Sequence, residues 1–424
     1  MLKGLFQGNS PFNSEKGDMK MGFDKDFKPI LRFMVVSDVH YKDEHSVERE
    51  RMEKAIKTAY ELSEKEEYSK LDALYVVGDF ANSGSRAQML AFKDTLDKNI
   101  KEGTKVNLSM ASHEFHGEGE EAAIEKFKEI FSQETDTHTV INGYHFISVT
   151  CTNGCHFDEA KQNWAKKELA AAAEAAPQKP IFFFQHPHIT DTVSGSIYWG
   201  EDELIPALID YPQVINFSGH SHVPINDPRS IHQRHFTCLG TGTLSYFELD
   251  EFDKVYGTFP PEKEKAAQML IVEADEQGRV RIYPYDLITS NFFPYIWKID
   301  SAWDPMSYLY TDERYKTTAC PSFSEDSKAE IINVKEDGFT VTFNQATPSE
   351  DYVNDYNVFI KTEGGVIVKN ATVWSCYHLY DMPESISVEI SGLKKGEKYF
   401  AEIYANGFWS NRSKKPLVSE IVAL

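Results

Sequence analysis

The fold of this chain is decided by Leu31-Arg32-Phe33-Met34-Val35-Val36-Ser37-Asp38-Val39-His40. Its first part is an apolar run interrupted only by Arg32, the pattern of a strand buried on both faces. The run ends on a carboxylate and an imidazole two residues apart. Downstream, a charged amphipathic helix is expected over about 46–66 with Ser46 as N-cap. A second apolar run, 73–77, follows, then a helix over about 86–101 and a third run, 106–110. A helix near 120–131, a strand-like stretch 144–150, a helix over 158–175 and the run 181–184 continue the series. Residues 214–218, 236–239, 267–273 and 280–286 complete the strand-like segments. Such strand–helix alternation predicts an α/β domain with parallel strands.

Composition narrows the field. The chain has 424 residues, 44 Lys+Arg and 66 Asp+Glu, for a net charge of −22. That length predicts two or three domains and a core that needs no disulfide staples. A sheath of negative charge disfavours binding along a nucleic-acid backbone. No apolar run is long enough to span a membrane. Cys151, Cys155, Cys238, Cys320 and Cys376 are scattered and odd in number, which argues against a disulfide framework and against a CxxC zinc site. The first residues lack the features of a signal peptide. A cytoplasmic location is therefore expected, or an exported one if a leader was removed.

Organisation changes with position. Residues 1–28 read as a loose polar arm, 29–300 as the α/β domain and 301–324, irregular and rich in Tyr and Pro, as a linker. Over 325–424 short alternating segments with turn residues between them predict an all-β sandwich of about 100 residues. Tyr399, just inside a strand and after Leu393 and Gly396, matches the tyrosine-corner pattern, so this tail resembles a fibronectin type III module.

Every reactive group of the α/β domain falls just past a predicted strand. Asp38 and His40 follow the first, Gly78-Asp79 the second, Ser112-His113-Glu114 the third, His186 the run 181–184, and Gly219-His220-Ser221-His222 the run 214–218. Carboxyl ends of strands line the ligand crevice of open α/β sheets. Neutral imidazoles with carboxylates suit Zn, Fe or Mn. Two such ions carry about four positive charges and two carboxylates remove about half, leaving a pocket that attracts a phosphoryl group. His113, beside the cluster, could protonate a leaving oxygen with Glu114 setting its tautomer.

As an ordered set, these motifs over about residues 30–290 resemble the calcineurin-like metallophosphoesterase superfamily, whose pattern is D-x-H, G-D, G-N-H with D or E, H, and G-H-x-H. The resemblance implies a four-layer α/β/β/α sandwich with two divalent transition-metal ions and hydrolysis of a small phosphate ester, monoester or diester, through a hydroxide the ions share. It implies that Asp38, His40 and His222 hold one ion, His186 and His220 the other, and that Asp79 bridges. His113 would contact the oxyanion or leaving group. The chain departs from the pattern at Ala111-Ser112, where Gly-Asn is expected. Ser112 is a shorter and poorer ligand than Asn, and Ala111 disfavours a left-handed turn.

Purple acid phosphatases place a Tyr three residues after the bridging Asp, where this chain has Asn82. Residues 78–84 look more like phosphodiesterase-type members, and the wider stretches 185–192 and 218–228 look like bacterial ones. Asn82, His188 and Tyr198 are candidate substrate contacts, with His116, His156 and Trp199 nearby in the loops. The alternative expectation is a degenerate metallophosphoesterase fold that binds metal but serves as a scaffold, with a protein or glycan partner for the C-terminal module.

Overall fold

The structure, a computed structural model, describes residues 21–22, 24, 26–250, 257–347 and 351–424. Of the arm expected over 1–28, positions 1–20, 23 and 25 lie outside the described residues. Its end is packed rather than loose: Met21 and Phe27 are buried, and the Arg281 guanidinium lies 4.8 Å over the Phe27 ring. The chain divides into two compact units, one within Lys16–Asp312 and one containing Glu313–Leu424.

In the first unit β1 (Pro29–Val36), β2 (Ala73–Val77) and β3 (Lys105–Ser109) alternate with α1 (Val47–Glu64), α2 (Arg86–Asn99) and α3 (Glu120–Phe131). Then come β4 (Thr137–Ile141), β5 (Tyr144–Ser148), α4 (Glu159–Ala175), β6 (Ile181–Phe184), and the short pair β7 (His188–Ile189) and β8 (Gly200–Glu201). The turn-long α5 (Ile205–Leu208) precedes β9 (Val214–Ser218), β10 (Ile231–Gln233) and β11 (Thr237–Gly240). β12 (Gln268–Asp275), β13 (Val280–Asp286), β14 (Asn291–Phe292) and β15 (Trp297–Ile299) close the unit. Ser46 does stand at the N-cap of α1, but its side chain makes no cap bond; its hydroxyl donates instead to the Asp43 carbonyl at 2.9 Å. Ser85 caps α2, accepting from the Gln88 N–H at 3.3 Å.

Two sheets result. One runs β14-β13-β12-β1-β2-β3 with β15 beside β13, the other β10-β11-β9-β6-β5-β4. The centres are parallel, as expected, but β12 and β13 pair antiparallel with their neighbours, and antiparallel β4 and β10 edge the second sheet. Hydrophobic periodicity reports burial and says nothing of direction, so this mixture escaped the sequence.

Strand alternation explains the layering. Phe33 of β1 and Tyr75 of β2 point between the sheets, where Phe33 meets Phe182 of β6 edge-on at 4.7 Å and Tyr75 stacks on Phe184 at 4.0 Å. Met34 and Val36 point the other way, into a core with Met52 and Ile56 of α1, Phe92 of α2 and Phe127 of α3. Ile181 and Phe183 of β6 likewise face Ala165 and Leu169 of α4 and Leu208 of α5. Four layers, α/β/β/α, therefore enclose three apolar interfaces. The stretch expected as a linker is divided: Gln233 Oε1 accepts from the backbone N–H of Leu309 (2.8 Å) and Tyr310 (3.0 Å), stitching these residues to β10.

The second unit is all-β after the short helix α6 (Arg314–Thr317). β16 (Ala329–Ile332), β17 (Phe339–Asn344), β18 (Asp355–Thr362), β19 (Ile367–Trp374), β20 (Ser385–Ile390), β21 (Lys398–Asn406), β22 (Leu417–Val418) and β23 (Val422–Ala423) form sheets β16-β17-β20 and β19-β18-β21-β22, with β23 on β21. Val341, Tyr356, Val358, Ile360, Ala401 and Ile403 pack together in one core, which makes this region a β-sandwich. The Tyr399 hydroxyl donates to the Lys394 carbonyl at 3.2 Å and accepts from its N–H at 3.0 Å. All five cysteines are free thiols.

Candidate metal centre

The five motifs converge because β1, β2, β3, β6 and β9 end on the same rim. Backbone bonds tie the ends together: the Asp38 N–H donates to the Gly78 carbonyl (3.2 Å), the His40 N–H to that of Asp79 (2.9 Å) and the Gly219 N–H to that of His186 (2.9 Å). Asp38, His40, Asp79, His220 and His222 all have positive φ, between 48° and 75°. This left-handed conformation costs most L-residues about 1–2 kcal/mol and clusters at functional sites. Two glycines permit the crowding. A Cβ on Gly78, itself at φ 81°, would stand 2.4 Å from His186 Nδ1, and one on Gly219 would stand 2.4 Å from Asp38 Oδ2.

Two carboxylates and four imidazoles crowd one spot. His186 Nε2 stands 3.1 Å from Asp79 Oδ2 and 3.8 Å from Asp38 Oδ1. His222 Nε2 is 3.3 Å from Asp38 Oδ1 and 3.0 Å from His40 Nε2. Asp38, His40 and His222 offer donor atoms to one point, Asp79, His186 and His220 to a second, and His40, Asp79 and His113 to a third that shares members with both. Asp79 thus lies in the middle of the set.

The tautomers aim lone pairs inward. His186 Nδ1–H donates to the Val77 carbonyl (2.7 Å) and His222 Nδ1–H to that of Tyr246 (2.8 Å). In the neutral rings Nε2 is then an acceptor facing another acceptor, an arrangement that needs a proton or a cation between them. Burial, with His222 beside it, holds His40 well below the usual imidazole range. Burial and His186 push His220 down to about 3. Both rings are neutral at pH 7. Burial would lower His186 too, but Asp79 and Asp38 outweigh it and raise it to about 10. Burial would raise Asp79, yet His186 and His40 hold it well below the usual carboxylate range. His40 Nδ1 is buried without a hydrogen-bond partner among the described residues, and His186 Nε2, when unprotonated, faces only the Asp79 and Asp38 carboxylates. Two anionic oxygens, neutral imidazoles and unsatisfied ring nitrogens fit divalent transition-metal ions.

Residues around the centre divide less tidily than expected. Ser112 Oγ lies 3.4 and 3.3 Å from the two Asp79 oxygens and donates to that carboxylate. Ala111 has φ −144°, extended backbone that needs no glycine. Partly exposed His113 donates its N–H to Asp79 Oδ1 at 3.0 Å, and its Nδ1–H to the Asn82 backbone carbonyl at 2.6 Å. The Asn82 carbonyl therefore sets the His113 tautomer, which corrects the role expected of Glu114. The Glu114 carboxylate is turned away and accepts three backbone N–H groups.

His188 is not at the opening either. It is buried with Nδ1 on Ser218 Oγ (2.8 Å) and Nε2 on Ser221 Oγ (2.7 Å), so it supports the Gly219–His222 turn from below. Tyr198 is exposed, while its neighbour Trp199 meets His220 edge-on at 4.9 Å. His116 lies 4.5 Å from the His113 ring. Exposed His156 joins half-buried Glu201 and Glu203 in a separate group.

Sequence reasoning missed Tyr246, which stacks on His222 at 4.2 Å, and Thr243, whose hydroxyl donates to the Asp38 carbonyl at 3.1 Å. Both sit in the loop after β11, which carries no motif.

Residues 31–224 match the family model for calcineurin-like phosphoesterase, a span that contains the seven residues expected as metal ligands, Ser112 included. No curated protein matches the chain. Among solved structures it is similar to purple acid phosphatase PPD1 from yellow lupin (Lupinus luteus) seeds, with 11% identity, 63% of this chain and 53% of that chain covered and a TM-score of 0.41. It is also similar to the twitchin kinase region from C. elegans (19% identity, 25% and 16% covered, TM-score 0.18) and to a structure described as a myokine (12% identity, 25% and 94% covered, TM-score 0.17). The chain thus spans about half of the phosphatase chain and about a sixth of the twitchin chain.

Proposed function

We propose that the protein is a metal-dependent phosphoester hydrolase. The observation that carries this is the crowding of Asp38, Asp79, His40, His186, His220 and His222, acceptor against acceptor, inside the stretch that matches the calcineurin-like phosphoesterase family. Asp38, His40 and His222 would hold one ion and His186 and His220 a second, with Asp79 shared. Bound there, divalent ions supply Lewis-acid polarisation of a phosphoryl oxygen and a water acidic enough to attack phosphorus at neutral pH.

The chain's own groups do the rest. The Val77 and Tyr246 carbonyls lock His186 and His222 with Nε2 inward. The Asn82 carbonyl occupies His113 Nδ1–H, so His113 exchanges its proton at Nε2, 4.0 Å from Asp79 Oδ2 and partly open to solvent. As the phosphorus–oxygen bond to the leaving alcohol breaks, a protonated His113 gives its Nε2 proton to that oxygen. The substrate we favour is a small phosphate diester, since Asn82 occupies the position of the purple-acid-phosphatase Tyr. The Tyr399 corner supports reading the C-terminal sandwich as fibronectin type III-like.

The test is hydrolysis of bis(p-nitrophenyl) phosphate, with p-nitrophenyl phosphate in parallel, by chelator-stripped protein as Mn²⁺ is returned. A saturable metal-dependent rate is expected. Bound Mn²⁺ with no turnover of either ester would instead favour the scaffold reading, for which the observation is Ser112 donating to Asp79 where the resemblance places a ligating Asn.

A further inference from the structure

Resting on the phosphoesterase reading, we propose that Glu114 is a positioning residue that fixes Asp79 and His113 relative to one another. The Glu114 side chain is fully buried. Its Oε2 accepts the N–H of Asp79 at 3.1 Å and of Ala111 at 2.8 Å, and its Oε1 accepts the N–H of Ala81 at 2.8 Å. One carboxylate thereby clamps the loop after β2 to the loop after β3. Asp79 Oδ1 in turn accepts the His113 N–H at 3.0 Å, which closes a circuit through both candidate reactive residues. The loop that supplies the Asn82 carbonyl to His113 is also pressed onto Glu114: a Cβ on Gly84 would stand 2.4 Å from the Glu114 carbonyl oxygen.

Burial and the nearby Asp79 push Glu114 well above the usual carboxylate range, and the Ala81 and Ala111 N–H groups pull the other way; the three backbone donors themselves call for a carboxylate. Three N–H donors converge on two oxygens, and a carboxylate presents acceptors on both sides. A Gln in the same place offers one oxygen and turns an NH₂ towards at least one backbone N–H. It must release either Ala81 or the Asp79 and Ala111 pair. With the NH₂ on the side of the pair, Asp79, held at φ 48°, loses the bond that steadies its left-handed backbone; with the NH₂ on the Ala81 side, the loop that carries Asp79 and Asn82 is released two residues further on. In either arrangement the Asp79 carboxylate and the His113 it holds are less firmly placed.

The experiment compares the full chain with Glu114→Gln and Glu114→Asp. Mn²⁺ affinity is measured by calorimetry on chelator-stripped protein, and kcat and KM with bis(p-nitrophenyl) phosphate. Loss of a group that orients ligands typically costs about 10–100-fold in metal affinity or activity. Glu114→Gln is expected to weaken Mn²⁺ binding and lower kcat within that range while KM and far-UV circular dichroism stay unchanged, and Glu114→Asp to recover part of the loss. Wild-type-like Mn²⁺ affinity and kcat in Glu114→Gln would overturn the proposal. So would unfolding of both variants, which would make Glu114 a residue of the fold alone. If the unaltered protein neither binds Mn²⁺ nor hydrolyses ester, the phosphoesterase reading itself has failed, and the inference falls with it before any variant is compared.

Discussion

Replacing Asp79 by Asn removes the nearer of two charges that hold a proton on His186 in the metal-free protein. At 3.1 Å, opposite charges attract by about 5 kcal/mol at an effective dielectric constant of about 20. The rise of His186 from 6.5 to about 10 corresponds to about the same energy, and because burial opposes it, the rise takes Asp79 and Asp38 together. Asp38 remains at 3.8 Å in the variant. By inverse distance Asp79 supplies somewhat more than half of the attraction, while burial still opposes it, so His186 should titrate well below its value in the unaltered protein in Asp79→Asn.

The same interaction links stability to pH. A folded-state value above the unfolded one stabilises the fold fully below about pH 6.5, and the contribution is lost as pH rises through about 10, by up to about 1.4 kcal/mol per pH unit. On the acid side Asp79, held below its usual range, loses the pair only as pH falls beneath the ordinary carboxylate value. The assay is imidazole ¹H–¹³C NMR of chelator-stripped protein across this range, with His186→Ala for assignment, and urea unfolding at about pH 6, 8 and 10. Two results would refute the reasoning: a His186 resonance titrating near 6.5 in the unaltered protein, or an Asp79→Asn variant with the same alkaline loss of stability.

Other substitutions test the remaining parts. Ser112→Asn, which carries an amide oxygen one bond further towards the centre, should tighten Mn²⁺ binding by roughly 10-fold or more, read by calorimetry. His113→Ala should lower kcat by about 10²–10⁴-fold, with Mn²⁺ affinity changed far less, because the ring contributes proton transfer; equal losses in both would make it a ligand instead. Tyr399→Phe removes the hydroxyl that serves both backbone groups of Lys394 and should destabilise the C-terminal unit by about 1–3 kcal/mol in urea unfolding.

Much of the architecture could be read from residues alone because its central strands are buried on both faces. β1, β2, β6 and β9 are near-continuous apolar runs, and their ends deliver the reactive side chains. The edges could not be read so easily. Thr137–Ile141 is only partly buried and pairs antiparallel at the margin of its sheet, so it has neither an apolar run nor a partner visible in sequence. Side-chain ligands leave a signature because only a few residue types bind metals. Carbonyl partners leave none, which is why Asn82 was expected only as a substrate contact, while its backbone carbonyl accepts from His113 Nδ1–H. Glu114 was misassigned for a related reason: adjacency in sequence suggested a partner for His113, whereas the 3₁₀ turn Ser112–Phe115 sends the two side chains in different directions.

The left-handed backbone at Asp38, His40, Asp79, His220 and His222 bears on how such a centre changes by mutation. That region of conformational space admits Gly freely and, among the other residues, favours Asn, Asp and His. Asn, Asp and His also carry oxygen or imidazole donors. A mutation at one of these five positions therefore meets a conformational filter before any chemical one, and most of what passes the filter can still bind a cation. Alanine would lose the ligand and strain the chain together, whereas Asn at the same position preserves the backbone and isolates the chemistry. On the proposed metal-centre reading, the shape of the main chain thus biases replacement of one ligand, Gly apart, towards another residue with a donor atom.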